Sequence, residues 1–233
     1  MRTRFLIAVF SLVPALAWAA RPFVTDDARL TSEGSCQLES WGRLYRDSQE
    51  FWALPACNPG GNFEVTLGGG QARNTGMAPT EDYVIQAKTL FRPLKTDDWG
   101  WGLAVGNIRH PEVNPGPNLL GNSYLYLPFS RSLNGDQTVV HANVGRLKDR
   151  ASGAQHTTWG LGGEFRLNTR WQAIAEVFGD DQVRPYWQVG ARYAVVPDKV
   201  QIDATVGQQM EGPLSGRWFS LGLRLTPEHF LAW

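Results

Sequence analysis

The chain has 233 residues, no formal net charge, and 42% hydrophobic residues. The balanced charge gives no electrostatic reason to expect a nucleic acid or an anionic surface as a partner. Beyond a short apolar run near the start, nothing approaches the roughly 20 apolar residues of a membrane-spanning helix, which excludes a helical membrane protein.

The first predicted element is an export signal. Arg2 and Arg4 precede an apolar stretch from Phe5 to Leu16, and small residues follow it up to Ala20. A basic start, an apolar core and a small-residue cleavage site are typical of a cleaved secretory signal peptide. We expect residues 1–20 to be removed, residues 21–34 to form a periplasmic N-terminal segment or plug, and residues 35–233 to form one large domain.

That domain is predicted to be all-β. Hydrophobic and polar residues alternate with period two from about residue 35 onward, with interruptions by Gly, Pro, Asn and Asp. Most segments have about the ten residues that a tilted barrel strand needs to cross a membrane. The pattern predicts about 12 strands, with 10 to 14 left open, at residues 36–45, 48–57, 62–69, 82–92, 99–109, 122–130, 138–147, 156–167, 171–178, 185–196, 200–208 and 217–225.

The alternation sorts the side chains onto two faces. In six strands one parity carries no charge, whereas the other carries Glu64, Lys88, Arg92, Glu164, Arg166, Arg192, Asp203 and Arg224. A soluble periplasmic ligand-binding barrel would bury the apolar face instead, so alternation alone leaves the orientation open. Small residues favour a narrow lumen on the polar side, and that face includes Gly100, Gly102, Gly106, Gly145, Gly160, Gly162, Gly190, Gly207 and Gly222.

Two further patterns favour a membrane barrel. The predicted connections are mostly short at one end and longer at the other, where they cover 70–81, 110–121, 148–155, 179–183 and 209–216. Short periplasmic turns and long external loops are typical of outer-membrane barrels. An interfacial girdle is predicted from Trp99, Trp101, Trp171, Trp187, Trp218 and Trp233. We therefore predict a single antiparallel up-and-down transmembrane β-barrel in the bacterial outer membrane.

The first hairpin allows a residue-level prediction. A turn centred on Arg46 and Asp47 pairs positions whose numbers sum to 93, although a slip or a bulge near Pro55 would change the pairing. This register predicts a disulfide, an aromatic pair and an ion pair, formed by Cys36 with Cys57, Trp41 with Trp52, and Arg43 with Glu50. The oxidising periplasm favours the disulfide.

Charged side chains of both signs are predicted to line the lumen. They are Glu39, Arg43, Glu64, Lys88, Arg92, Glu164, Arg166, Glu176, Arg192, Asp203 and Arg224. In one interpretation they pair with each other and stiffen a filled barrel. In the other, some of them line a conduction path or a binding pocket and set its selectivity.

The sequence shows little that points to catalysis. His110 and His156 are predicted on or beside external loops, with Ser152 near the second, but no nucleophile motif accompanies them. Asp180 and Asp181 could hold a hard cation, although such turns are usually just solvated. There is no phosphate-binding loop, dinucleotide motif or zinc spacing. We expect no enzyme, no cofactor and no metal.

Three stretches resemble a known family: Arg21 to Ala28, Leu54 to Glu64, and Gln86 to Leu94. They are similar to proteobacterial outer-membrane proteins of the transporter family named for the MetA pathway of phenol degradation. The resemblance implies an outer-membrane barrel that admits aromatic or other apolar compounds, and it marks no catalytic residue. Trp233 supplies the terminal aromatic of many such barrels, whereas Pro227 and His229 interrupt the expected last strand.

These patterns predict a narrow channel or passive transporter for small molecules, such as apolar or aromatic compounds. The alternatives are a non-conducting barrel that stabilises the envelope or binds a partner through its loops, and a lipid-modifying enzyme at the rim. The expected partners are outer-membrane lipid and lipopolysaccharide, a small-molecule permeant, and the barrel-assembly machinery during biogenesis.

Overall fold

The computed structural model describes residues 23–109 and 121–227, so the predicted signal peptide, His110, His229 and Trp233 lie outside the described residues. Twelve antiparallel strands form a closed barrel in which each strand pairs with its chain neighbours and the last pairs with the first. Within the described ranges, no helix has the length and apolar character to cross a membrane. The strands are β1 (Ser35–Leu44), β2 (Ser48–Asn58), β3 (Glu64–Asn74), β4 (Thr80–Arg92), β5 (Trp99–Arg109), β6 (Asn122–Leu133), β7 (Thr138–Lys148), β8 (Gln155–Arg166), β9 (Trp171–Asp180), β10 (Tyr186–Val196), β11 (Val200–Gln209) and β12 (Trp218–Leu225).

The barrel confirms the predicted architecture and corrects one loop. Residues 70–81 were expected to form a long loop, but β3 continues to Asn74 and β4 begins at Thr80. Glycine in a strand interior ordinarily weakens the strand. Instead, Gly70 pairs with Trp52, whose indole fills the space that a Cβ on the glycine would need. The difference in length between the two sets of connections is therefore smaller than predicted.

The apolar face of the sheet points outward. Leu161, Val189 and Leu221, which would meet inside a soluble barrel, are 55%, 43% and 56% exposed. Among the described residues, the four largest fully buried side chains are polar, and they belong to Arg192, His141, Gln188 and Glu164. The molecule therefore has a polar interior and an apolar belt, as predicted from the parity of the charged residues.

The tryptophans divide between the two faces. Trp101 and Trp171 are exposed on the outside, in keeping with an interfacial girdle. Trp218 was predicted to join them, but it is buried inside the barrel against Tyr45 and Tyr186, with ring centroids 6.0 and 6.1 Å away. Its even number gives it the parity of the lumen-facing residues of β12, and that parity overrides its place at a strand end.

The first hairpin has the predicted register. The Cα partners of β1 and β2 include all three predicted pairs. Cys36 and Cys57 form a disulfide. The rings of Trp41 and Trp52 stack with centroids 5.7 Å apart, and a nitrogen of Arg43 lies 3.2 Å from a carboxylate oxygen of Glu50. We call the barrel rim that holds Gly34 and the disulfide the proximal rim, and the opposite rim the distal rim.

Residues 23–34 lie inside the barrel, and we call them the plug segment. Phe23, Thr25, Asp27, Ala28 and Thr31 are buried there, and the segment joins β1 at the proximal rim. Glycine on the wall makes room for it, since a Cβ on Gly160 would collide with the hydroxyl of Thr25. Gly160, and Gly162 beside Phe23, thus accommodate the chain's own N-terminal segment, whereas the other glycines of the polar face lie against residues of the barrel wall.

Candidate functional site

The plug segment is anchored in the middle of the barrel by a carboxylate of β9. The two oxygens of Glu176 accept hydrogen bonds from the backbone N–H groups of Val24 and Thr25, at 2.7 and 2.8 Å. Glu176 is buried and also accepts a hydrogen bond from Gln188 of β10. Hydrogen bonds to an ionised group are stronger than neutral ones, so this pair is a firm attachment point.

The next attachment is an ion pair with the opposite wall. The ammonium nitrogen of Lys88 lies 2.9 Å from Asp26 and 3.5 Å from Asp27. Tyr126 donates its hydroxyl proton to Asp26 at 2.7 Å, while Asn143 bonds to both the N–H and the carbonyl of Asp26. Side chains of three strands therefore hold one residue of the plug segment.

Arg29 of the plug segment joins a buried cluster of side chains on the adjoining strands. Arg29 contacts Glu164 at 3.3 Å, and Arg192 contacts the other oxygen of Glu164 at 3.0 Å. His141 lies between Glu164, at 3.8 Å, and the hydroxyl of Ser130, at 2.8 Å. The backbone N–H of Ala28 donates to that hydroxyl. His141 is fully buried, and the cluster contacts the plug segment through Arg29 and Ala28.

The plug segment is also tied to the proximal rim. The backbone N–H of Thr31 donates to Glu64 at 2.8 Å, and the side-chain amide of Asn58 donates to the carbonyl of Thr31 at 2.6 Å. The backbone N–H of Leu94 donates to the carbonyl of Ala28 at 3.1 Å. The plug segment therefore occupies part of the proximal half of the lumen, and its attachments to the wall are noncovalent.

The structure sorts the predicted lumen charges into two groups. Most are buried inside the barrel: Glu39, Glu64, Lys88, Glu164, Glu176, Arg192, Asp203 and Arg224. Arg43 also faces the lumen, on the distal side. The remaining two, Arg92 and Arg166, end their strands and lie at the proximal rim rather than deep in the lumen.

At that rim Arg92 holds a turn rather than lining a path. Its guanidinium donates hydrogen bonds of 2.8 and 2.7 Å to the carboxylate of Asp98. These hydrogen bonds lower the pKa of Asp98 below its ordinary value. Arg166 contacts the carbonyl of Gly135 in the neighbouring turn.

A cavity of about 570 Å³ lies beside and above the plug segment; we call it the outer cavity. It extends from Arg43 and Tyr186 on the distal side to Gln37 and Glu64 in the proximal half of the barrel. Phe23, Val24 and Asp26 form part of its lining. The remaining wall includes aromatic residues that sequence reasoning did not assign to the lumen, namely Trp41, Trp52, Tyr124, Tyr126, Phe178 and Tyr186. Their parity would have placed them inside, because each alternates with outward-facing neighbours.

The rim residues considered for catalysis or metal binding make local hydrogen bonds. Ser152 donates its hydroxyl proton to Asp149 within the β7–β8 loop at 2.7 Å. One oxygen of Asp180 accepts the backbone N–H groups of Gln182 and Val183. Among residues 23–109 and 121–227, no group of three or more His, Cys, Asp or Glu side chains is placed to hold a metal ion.

A closed antiparallel barrel of twelve strands, polar inside and apolar outside, is a porin-type fold. The KdgM porin superposes with a TM-score of 0.63 at 9% identity, over 81% of this chain and 98% of its own. The NanC porin superposes with a TM-score of 0.58 at 7% identity, over 82% and 98%. At such low identity these similarities concern the fold.

The sequence family is defined by a separate match. The model of the family described as "Uncharacterised conserved protein UCP029691" matches residues 7–226, so the chain belongs to that family. The MetA-pathway family, which the sequence resembles, is not the family matched. A comparison with curated protein sequences gives no match.

Proposed function

We propose that this protein spans the bacterial outer membrane as a passive channel for small molecules, and that the structure is its closed state. The observation that carries the proposal is a polar lumen, encircled by an apolar belt, in which a noncovalently held plug segment lies beside the outer cavity and takes up part of the passage between the two rims. With the predicted signal peptide and an even strand number, the proximal rim faces the periplasm and the distal rim faces outward. Outer-membrane lipid, lipopolysaccharide and the barrel-assembly machinery are the partners that this placement implies.

The aromatic lining of the outer cavity supports small aromatic or apolar permeants. Trp41 and Trp52 form one stacked pair, and Tyr124 and Tyr126 form another with centroids 6.1 Å apart. Cavities of about 300–1,000 Å³ with largely apolar walls suit small ligands. The resemblance to the MetA-pathway family points to the same class of compound.

Opening requires the plug segment to leave the lumen through the proximal rim, because it is tethered there. Gly34 has a φ of +69°, and a Cβ built on it would meet nothing within 4 Å. This residue can therefore act as a hinge without a steric penalty. The barrel wall does not need to change, since its strands are paired all the way round.

An engineered disulfide tests this mechanism. A Cβ built on Gly160 lies 3.2 Å from the Cβ of Thr25, near the separation of about 3.5–4.5 Å that disulfides have. In proteoliposomes the oxidised Thr25→Cys/Gly160→Cys variant should block solute uptake in a swelling assay, and reduction should restore it. The two single-cysteine variants are one control. The reduced wild-type protein is the other, because reduction also opens the Cys36–Cys57 bond.

The many contacts of the plug segment favour a second candidate, a non-conducting barrel that stabilises the envelope or binds a partner. The double variant Asp26→Asn/Glu176→Gln separates the candidates, because it weakens the attachments of the plug segment to Lys88 and Glu176. A channel should admit small solutes faster in this variant than in the wild type. A folded barrel that excludes every small solute both in this variant and in the reduced double-cysteine variant would establish the second candidate. Unchanged uptake by the oxidised, cross-linked protein would refute the role of the plug segment.

A further inference from the structure

The outer cavity carries more acidic than basic side chains. Its described lining contains five carboxylates against three basic groups. The acidic residues are Asp26, Glu39, Glu50, Glu64 and Asp180. Arg224, outside the lining, lies 4.0 Å from Glu39 and offsets part of that charge. Within low-dielectric walls the remaining acidic excess produces a negative potential that concentrates cations and repels anions.

The basic residues of the cavity are already engaged by carboxylates. Lys88 pairs with Asp26, Arg43 pairs with Glu50, and Arg29 turns toward Glu164 beneath the plug segment. An anionic ligand would have to compete with these carboxylates for each cation. The cavity therefore disfavours acids, even though its charges are of both signs.

The same cavity presents aromatic rings on several sides. Besides the two stacked pairs, Phe178 and Tyr186 stack with centroids 5.7 Å apart on β9 and β10. The faces of aromatic rings carry negative potential and attract cations, and several such rings together recognise alkylated ammonium groups. Arg43 already uses this attraction, since its guanidinium carbon lies 5.1 Å from the ring centroid of the neighbouring Trp218.

From the charge excess and the aromatic walls together, we infer that the outer cavity binds small organic cations that carry an aromatic ring or a methylated ammonium group. This inference deepens the proposed function and rests on it only for the position of the site on the permeation path. The volume of about 570 Å³ accommodates such a molecule. The plug segment forms the floor of the site through Phe23 and Val24, so a bound cation would contact the gate directly.

Binding can be measured without transport, by equilibrium dialysis of the folded protein in a nonionic maltoside detergent, which carries no ammonium group that could compete with the probe. The probes are benzyltrimethylammonium, benzyl alcohol and benzoate, which share a phenyl ring and differ in charge. We expect benzyltrimethylammonium to bind about tenfold more tightly than benzyl alcohol, and benzoate to bind most weakly. Added salt should weaken the binding of benzyltrimethylammonium but not that of benzyl alcohol. Equal or tighter binding of either other probe, or no binding of the cation, would overturn the inference.

Two variants locate the site, each with a matched control. Trp52→Leu should weaken binding of benzyltrimethylammonium about three- to tenfold, whereas Trp101→Leu, on the lipid-facing side, should leave it unchanged. Glu39→Gln keeps the side-chain shape. It should weaken the binding of benzyltrimethylammonium about threefold and leave the binding of benzyl alcohol unchanged. Its control is Glu211→Gln, which removes an acid at the distal rim outside the cavity lining.

The outcomes separate the two proposals. Cation binding by a protein that never admits solute into liposomes would retain the site and refute the channel. Solute uptake without selective cation binding would retain the channel and refute the site. If the control variants lower the affinity as much as Trp52→Leu and Glu39→Gln do, the binding lies elsewhere and the inference fails.

Discussion

Replacing Leu161 by arginine tests the orientation on which the functional proposal depends. Leu161 lies near the middle of β8, on the apolar parity, and is 55% exposed. In an outer-membrane barrel this position contacts hydrocarbon at the centre of the bilayer. The guanidinium would then have to extend toward the interface or draw water into the bilayer, and both responses destabilise the folded state.

The expected loss depends on depth. Arginine at the bilayer midplane destabilises a membrane barrel by about 2–4 kcal/mol, and near an interface by about 0–1 kcal/mol. Leu167, which is 65% exposed, has the same parity and lies six residues further along the chain. A rise of about 3.3 Å per residue and a tilt of about 40° place it about 15 Å along the membrane normal from Leu161. We therefore expect about 2–4 kcal/mol for Leu161→Arg and about 0–1 kcal/mol for Leu167→Arg.

The measurement is equilibrium unfolding by guanidinium in lipid vesicles, followed by the change in gel mobility that distinguishes a folded barrel from an unfolded chain. Both variants carry the same added charge, so the difference between them isolates membrane depth. Equal losses, or a loss below about 1 kcal/mol for Leu161→Arg, would refute the assignment of this face to lipid.

Three further predictions concern the attachments. Glu176→Gln should weaken the attachment of the plug segment to the barrel wall by about 1.5–3 kcal/mol. Limited proteolysis of the folded barrel should detect this change as faster cleavage within residues 23–34. Removing the disulfide in Cys36→Ala/Cys57→Ala should lower the free energy of unfolding by about 3 kcal/mol, measured as a lower guanidinium midpoint. Arg92 lowers the pKa of Asp98, so it stabilises the turn at pH above the ordinary pKa of that carboxyl, and the stabilisation is lost as pH falls through the lowered value. The protection factors of the amides in residues 94–98, which are exchange rates corrected for the intrinsic pH dependence, should therefore fall on acidification in the wild type, and Arg92→Gln should remove that step.

Several features were predictable because they depend on local periodicity. The parity of Glu64, Lys88 and Arg192 defines a polar face, and a membrane barrel turns that face inward. The register of the first hairpin follows from three matched pairs across one tight turn. The length of β3 was mispredicted, because three consecutive glycines indicate a break unless the neighbouring strand supplies a ring as large as that of Trp52 to fill the space.

The sequence by itself determined that this chain forms a two-faced antiparallel sheet, since strand alternation depends only on which residues are neighbours in the chain. Only the tertiary structure decided what fills the enclosed space. Asp26 meets Lys88, and Val24 meets Glu176, across separations of 62 and 152 residues, and no local pattern encodes such distant partners. Closure of the barrel brings these groups together inside the lumen, and their contacts create both the seat of the plug segment and the aromatic cavity beside it.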